Sequence, residues 1–212
     1  MATPEAAFSS QMAQVIHAPA RPHITGVKTI FLAGSIDAST VVPVTGATTT
    51  TTTATATEDD RVRQKTHELQ QNDWRAALAA SLAHLAVTLF NPVRRDWSAE
   101  AWSETEASDR FREQVDWELD MQEAADLLVV YLAAGTDAPI SLLELGLYCG
   151  RRRRRPEEGG SRGDVVVVCE PGYPKKGNVQ IVGRRYGARV VEGGMGRLTA
   201  EVRRWLAQEG VS

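Results

Sequence analysis

Two cysteines in a chain of 212 residues are too few for a disulfide scaffold, and Cys149 and Cys169 lack the spacing of a metal site. They read as buried thiols in a reducing compartment. No uninterrupted apolar run reaches the roughly 18 residues that a membrane helix needs, and the N-terminal stretch has no apolar core flanked by positive charge. Neither a membrane partner nor a secretory leader is expected, and the location is expected to be cytoplasmic. An excess of charge of one sign is also missing: the formal net charge of -3 gives no general attraction to a nucleic acid polymer, and the one dense basic feature, Arg151 to Arg155, is local. What is present, 42% hydrophobic and 24% charged residues, is the composition of a soluble globular protein, and the length suits one domain with a substantial core.

The stretch from Asp126 to Tyr148 organises the rest. Leu127 to Leu132 is a continuous apolar run with the branched content of a strand covered on both faces, as parallel sheets in α/β folds require. Gly135 to Pro139 breaks the run. Ser141-Leu-Leu-Glu144 then has the form of a capping box, which predicts a helix starting here with Ser141 at its N-cap and Glu144 three residues on. Ligands of open α/β sheets bind beyond the carboxyl ends of the strands, so Glu144 stands where chemistry is usually done. Two readings compete for it, a helix cap and a catalytic carboxylate.

Taken in order, residues 1–26 mix Ala, Pro, Ser and Gln without a sustained period and read as a disordered arm ahead of a domain over 27–212. Val27 to Ala33 is a strand, and Gly34-Ser35 forms the strand-to-helix turn, where backbone N–H groups can approach a phosphate or a sugar hydroxyl. Residues 38–57, with the run Thr48 to Thr53, are a low-complexity insertion too poor in large apolar groups to order itself. A helix resumes near Asp59, and Trp74, Ala77, Leu78, Ser81, Leu82 and Leu85 recur at amphipathic spacing. Val87 to Asn91 is the second strand; Arg94, Arg95 and Asp96 follow it at the same rim as Gly34 and Glu144, as solvated charges or as bidentate holders of a phosphate and a base edge. The next helix is expected over Ser108 to Ala125, capped by Ser108 or Asp109, with Phe111, Val115, Leu119 and Gln122 on one stripe and Glu118 beside it. A second insertion falls at 151–162. Asp164 to Cys169 and Ala188 to Glu192 are the last strands, and Leu198, Val202, Trp205 and Leu206 mark a closing helix. The alternation predicts an α/β doubly wound sheet of five parallel strands in the order 2-1-3-4-5, a flavodoxin- or Rossmann-like three-layer sandwich.

Five motifs, Ile30-Phe-Leu-Ala-Gly-Ser-Ile36, Asn91-Pro-Val-Arg-Arg-Asp-Trp97, Gln114-Val-Asp-Trp-Glu118, Ala138-Pro-Ile-Ser-Leu-Leu-Glu-Leu-Gly146 and Lys176-Gly-Asn178, together resemble the nucleoside 2-deoxyribosyltransferase-like family. The resemblance spans Lys28 to about Glu192. It implies that Glu144 attacks C1′ of a deoxyribonucleoside, and a carboxylate at a helix N-terminus is expected to be held ionised by the dipole and the free N–H groups. Glu118 matches the acidic residue that serves the leaving base, where the family usually has Asp; two-carboxylate glycosyl chemistry needs such an acid. The resemblance further implies sugar contacts from Asp137, an Asn contributed by a neighbouring subunit at Asn178, hence a homodimer or larger homo-oligomer, and no metal or cofactor. Phe31 departs from the pattern. Typical transferases have a Tyr there whose hydroxyl orients the nucleophile, and Tyr131 and Tyr148 are the candidate substitutes.

The expected function is transfer of 2-deoxyribose between nucleobases through a covalent intermediate on Glu144, with a deoxynucleoside or deoxynucleotide and a nucleobase as small-molecule partners. Two alternatives stand beside it. One is a deoxynucleotide N-glycosidase in which Ser35 and the Arg pair hold a 5′-phosphate; the other is a nucleotide-binding sensor that has lost turnover.

Overall fold

The computed structural model describes residues 12–35, 73–95, 103–154 and 163–211. Within these, six strands form one parallel sheet: β1 (Gln14–His17), β2 (Lys28–Gly34), β3 (Val87–Asn91), β4 (Leu127–Leu132), β5 (Asp164–Cys169) and β6 (Arg189–Glu192), in the order β1-β3-β2-β4-β5-β6. Five helices accompany them: α1 (Trp74–Ser81), α2 (Asp109–Ala124), α3 (Pro139–Arg154), α4 (Lys176–Arg185) and α5 (Met195–Gln208). The five strands anticipated from the sequence hold the expected 2-1-3-4-5 order as β3-β2-β4-β5-β6.

Alternation along the strands feeds two cores. Phe31, Leu128, Val130, Val165 and Val167 face Trp117 of α2, Leu145 and Tyr148 of α3 and Val179 of α4. Ile30, Leu32, Val129 and Val166 face Trp74 and Leu78 of α1 and Leu198, Val202 and Trp205 of α5. All six residues of β4 are buried, as a strand covered on both faces must be.

The arm is a correction. Residues 12–26 are not disordered: Gln14–His17 adds a sixth strand parallel to β3, with Gln14 opposite Thr88 and His17 opposite Asn91. The buried Ile16 and Ala18 anchor it to the core, and hydrogen bonds add to this. The Gln14 amide donates to the His23 carbonyl at 2.9 Å and accepts from Thr25 N and Thr88 Oγ1 at 3.0 and 2.9 Å, while Trp117 Nε1 donates to the Ala20 carbonyl at 2.8 Å.

Helix starts are a second test of the local reading. Ser108 caps α2 as expected, accepting from Phe111 N at 3.3 Å. The capping box at Ser141 does not form. Pro139, with its fixed φ and missing donor, opens α3 at the one position that suits it, and the Leu142 N–H already closes onto the Ala138 carbonyl at 3.1 Å. Ser141 is therefore a buried residue of the first turn, and Glu144 is the sixth residue of the helix. The inward face of α2 also differs: of the expected Phe111, Val115, Leu119 and Gln122 stripe Gln122 alone is buried, and Gln114 and Trp117 join it. The second insertion, expected over 151–162, is corrected at its start, since α3 continues through residues 151–154; the remainder at 155–162, the insertion at 38–57 and the helix expected from Asp59 up to Asn72 lie outside the described residues.

Candidate active site

The site begins at the carboxyl end of β2. Gly34 has φ 142°, and a Cβ there would stand 2.2 Å from the Tyr131 carbonyl oxygen, so glycine is what lets β2 run this close to β4. Ser35 is 2% exposed, and its N–H donates to that same carbonyl at 2.8 Å. Its hydroxyl accepts from Ala133 N at 3.0 Å and bonds Thr136 Oγ1 at 2.5 Å; because the Thr136 proton goes to the Ala133 carbonyl, the Ser35 proton goes to Thr136. Ser35 thus ties β2 to the loop before α3. That commits the hydroxyl internally.

Arg75 closes the same end from α1. Asp73 caps this helix by accepting from Arg75 N and Ala76 N, and the Arg75 side chain turns inward to 4% exposure. Its guanidinium donates to the carbonyls of Leu32, Gly34 and Ser35 at 3.1, 3.0 and 3.3 Å and lies 4.3 Å from the Trp74 ring centroid. Carbonyls that have run out of strand partners are satisfied in this way. The consequence is a positive charge fixed at the rim of the sheet.

The carboxylates come from α2 and α3. Gln114, Glu118 and Gln122 are spaced four residues apart, so they form one line along α2. Gln114 Nε2 donates to Glu118 Oε1 and to the Pro92 carbonyl, both at 2.7 Å; Gln122 Nε2 donates to Glu144 Oε1. Each glutamate is half-buried and each is held by its own glutamine. Burial pushes the Glu118 carboxyl above its ordinary value, with the Gln114 hydrogen bond and the Arg75 charge opposing. Burial also pushes Glu144 up, to about 8, and the Glu118 charge adds to this; the Gln122 bond and Arg75 act against it.

Glu144 is therefore not held ionised by the helix terminus, as the sequence suggested. As the sixth residue of α3 it is past the first turn, where the free N–H groups and the dipole act. With its carboxyl pushed up to about 8, Glu144 holds a proton near neutrality, and that proton must leave before a Glu144 oxygen can attack. Two carboxyl groups in one poorly solvated place, one ionised and one protonated, are what paired nucleophilic and general-acid chemistry needs.

The other anticipated residues are placed differently. Arg94 is buried and pairs with Glu113 at 3.0 Å, so it braces the loop after β3 against α2. Asp96 lies outside the described residues. Asp137 is exposed in the loop before α3, and its backbone carbonyl accepts from the Tyr173 hydroxyl at 2.8 Å. Asn178 is exposed in the first turn of α4. Phe31 has no exposed surface and packs against Trp117 at 6.3 Å between ring centroids. Neither candidate substitute gives its hydroxyl proton to Glu144: Tyr131 faces the opposite core and donates to Glu170, and Tyr148 donates to the Ala125 carbonyl at 3.2 Å. Cys149 and Cys169 are buried, and burial pushes the Cys169 thiol up to about 11. Among the described residues no group of three His, Cys, Asp or Glu is arranged to hold a metal ion.

Arg75 was passed over in the sequence, while Gln114 stood there only as part of a motif and Gln122 only as a member of the α2 stripe. The signal for Arg75 and Gln122 was a polar side chain on an apolar stripe. Arg75 is three residues before Leu78 and seven before Leu82, both fully buried, and Gln122 is four after Glu118.

No curated protein matches the chain. The family model described as nucleoside 2-deoxyribosyltransferase like matches residues 65–155, a span that takes in Arg75, Gln114, Glu118, Gln122 and Glu144 and leaves Phe31, Gly34, Ser35 and Asn178 outside. Residues 65–155 are thus similar to the nucleoside 2-deoxyribosyltransferase-like family, and the parallel α/β sheet is consistent with that family's fold.

Proposed function

We propose that the protein moves 2-deoxyribose between nucleobases, with Glu144 as nucleophile and Glu118 as the acid and base that serves the nucleobase. The observation that carries this reading is the pairing of two half-buried carboxyl groups, each gripped by a glutamine and both under the charge of Arg75, inside the span matched to the family. In the reactive form Glu144 is ionised and the proton sits on Glu118; in the first half of the reaction a Glu144 oxygen then bonds to C1′ as the C1′–N bond breaks, and the departing base takes the Glu118 proton. In the second half a nitrogen of the incoming base attacks C1′, Glu118 takes its proton, and the Glu144 carboxylate is released.

Ser35 and Arg94 are both engaged within the protein, which argues against the deoxynucleotide hydrolase that would use them to hold a 5′-phosphate. Incubation with a deoxynucleoside and a second nucleobase tests the choice. Exchanged nucleoside is the expected product; free sugar would make the protein a hydrolase, and binding without release of base would make it a sensor.

The working form in this reading is a homo-oligomer in which Asn178 of a second copy completes the sugar site. Exposed apolar side chains support an assembly: Ile140, Leu143 and Leu147 recur along α3, and Ile181 and Val182 follow Asn178 on α4. Light scattering after size exclusion should give a dimer or larger, and a strict monomer with full activity would remove Asn178 from the site.

A further inference from the structure

We infer that Gln122 is the positioning residue of the Glu144 carboxylate, fixing which of its two oxygens attacks the sugar; this rests on the reading of Glu144 as nucleophile. Gln122 is 2% exposed, so its amide has almost no water to turn to, and its Nε2 hydrogen goes to Glu144 Oε1. Rotating Glu144 away would leave a buried N–H without a partner, which is unfavourable. The side chain of Glu144 is thereby held in one orientation with Oε1 occupied. Oε2 is the oxygen left to react.

The chemistry makes the contact useful at each stage. When Oε2 bonds to C1′ and the C1′–N bond breaks, the electron pair leaves with the base, which takes its proton from Glu118. Oε1 becomes the carbonyl oxygen of the ester and still accepts from Gln122. When the second base attacks C1′, the ester electrons return to Oε2, the incoming base gives its proton to Glu118, and the bond from Gln122 meets the returning negative charge. Gln114 does for Glu118 what Gln122 does for Glu144, and it reaches the loop after β3 as well through the Pro92 carbonyl. Among the described residues, the charged groups that act on Glu144 are Glu118 from α2 and Arg75 from α1; Gln122 adds a neutral donor.

The test compares the parent with Gln122→Met, which has nearly the same volume and no donor. In the variant the rate of glycosyl-enzyme formation and kcat should each fall about ten- to hundred-fold, as loss of a hydrogen bond to a charged group does, with KM little changed. The acid limb of the kcat/KM profile should move to higher pH, because the bond that favours ionised Glu144 is gone. Parent-like rates overturn the inference, and so does a fall in rate that comes with a lower thermal midpoint and an unmoved pH limb, which is what a packing role would give. If Gln122→Met does not fold, Gln122→Asn retains the amide one methylene short of Glu144, and its pH limb should move in the same direction; an unmoved limb overturns the inference there too. A parent enzyme that forms no ester on Glu144 refutes the functional reading itself, whereas an ester formed at full rate in Gln122→Met refutes only the positioning role.

Discussion

Replacing Glu144 with Gln separates what the carboxylate does for the reaction from what it does to the fold. In the folded chain burial and then Glu118 move its pKa from 4.5 to about 8. The folded state thus keeps a proton that the unfolded chain gives up across that window, so the contribution of this group is intact in acid and is lost progressively as pH rises from 4.5 towards 8. Each pH step within the window costs ~1.4 kcal/mol, which brings the penalty to roughly 3 kcal/mol near neutrality. Gln has almost the same shape, still offers an oxygen to Gln122 Nε2, and does not ionise. Glu144→Gln should therefore be more stable than the parent by about 1–3 kcal/mol at neutral pH and no more stable in acid. Urea denaturation of both proteins at a series of pH values reads this as a difference in midpoint at unchanged slope. Equal midpoints throughout, or a gap that opens on the acid side, would refute the reasoning and mean that the carboxylate is well solvated. The same variant should lose turnover by several orders of magnitude, since only binding and positioning would remain.

Two other substitutions probe the site from its other walls. Gly34→Ala forces a Cβ to within 2.2 Å of the Tyr131 carbonyl oxygen at φ 142°; it should cost about 2–4 kcal/mol in thermal or urea unfolding, and a loss near zero would show that β2 and β4 can part there. Glu118→Gln removes both the acid and a charge that raises Glu144. Its kcat should fall about 10²–10⁴-fold, less for substrates whose base leaves easily, while the acid limb of its pH profile moves to lower pH; a uniform loss for all bases with an unmoved limb would take Glu118 out of that role.

What the sequence made legible is what depends on apolar patterning. Leu127 to Leu132 announced a strand covered on both faces, and the spacing of Leu198, Val202, Trp205 and Leu206 announced the helix that covers one of them; both are as read. β1 was not legible because Ile16 and Ala18 are the buried apolar residues of this segment, too few to set up a period, and much of the rest of its attachment runs through a Gln amide and a tryptophan N–H. The start of α3 was misread because two local signals competed within three residues, and the Pro139 backbone constraint prevailed over the Ser141–Glu144 cap pattern. That shift matters for function. It takes Glu144 out of a capping role and leaves its burial, and its contact with Gln122, in need of another explanation. The carboxylate pair was legible through motif spacing, whereas Arg75 was not, since its partners are backbone carbonyls of β2 and of the turn after it that no pattern in α1 can name. Ser35 and Arg94 looked available to a ligand because their partners, Thr136 and Glu113, are distant or unremarkable in the sequence.

The central claim is that Glu144 carries the sugar, and intact-mass measurement of enzyme quenched in acid during turnover of a deoxynucleoside tests it most directly. The account predicts a species heavier than the parent by one deoxyribosyl unit, with the added mass on the peptide that contains Glu144, no such species in Glu144→Gln, and its disappearance when a second nucleobase is added before the quench. Steady base exchange with no adduct at any time, or an adduct on a different residue, would contradict it.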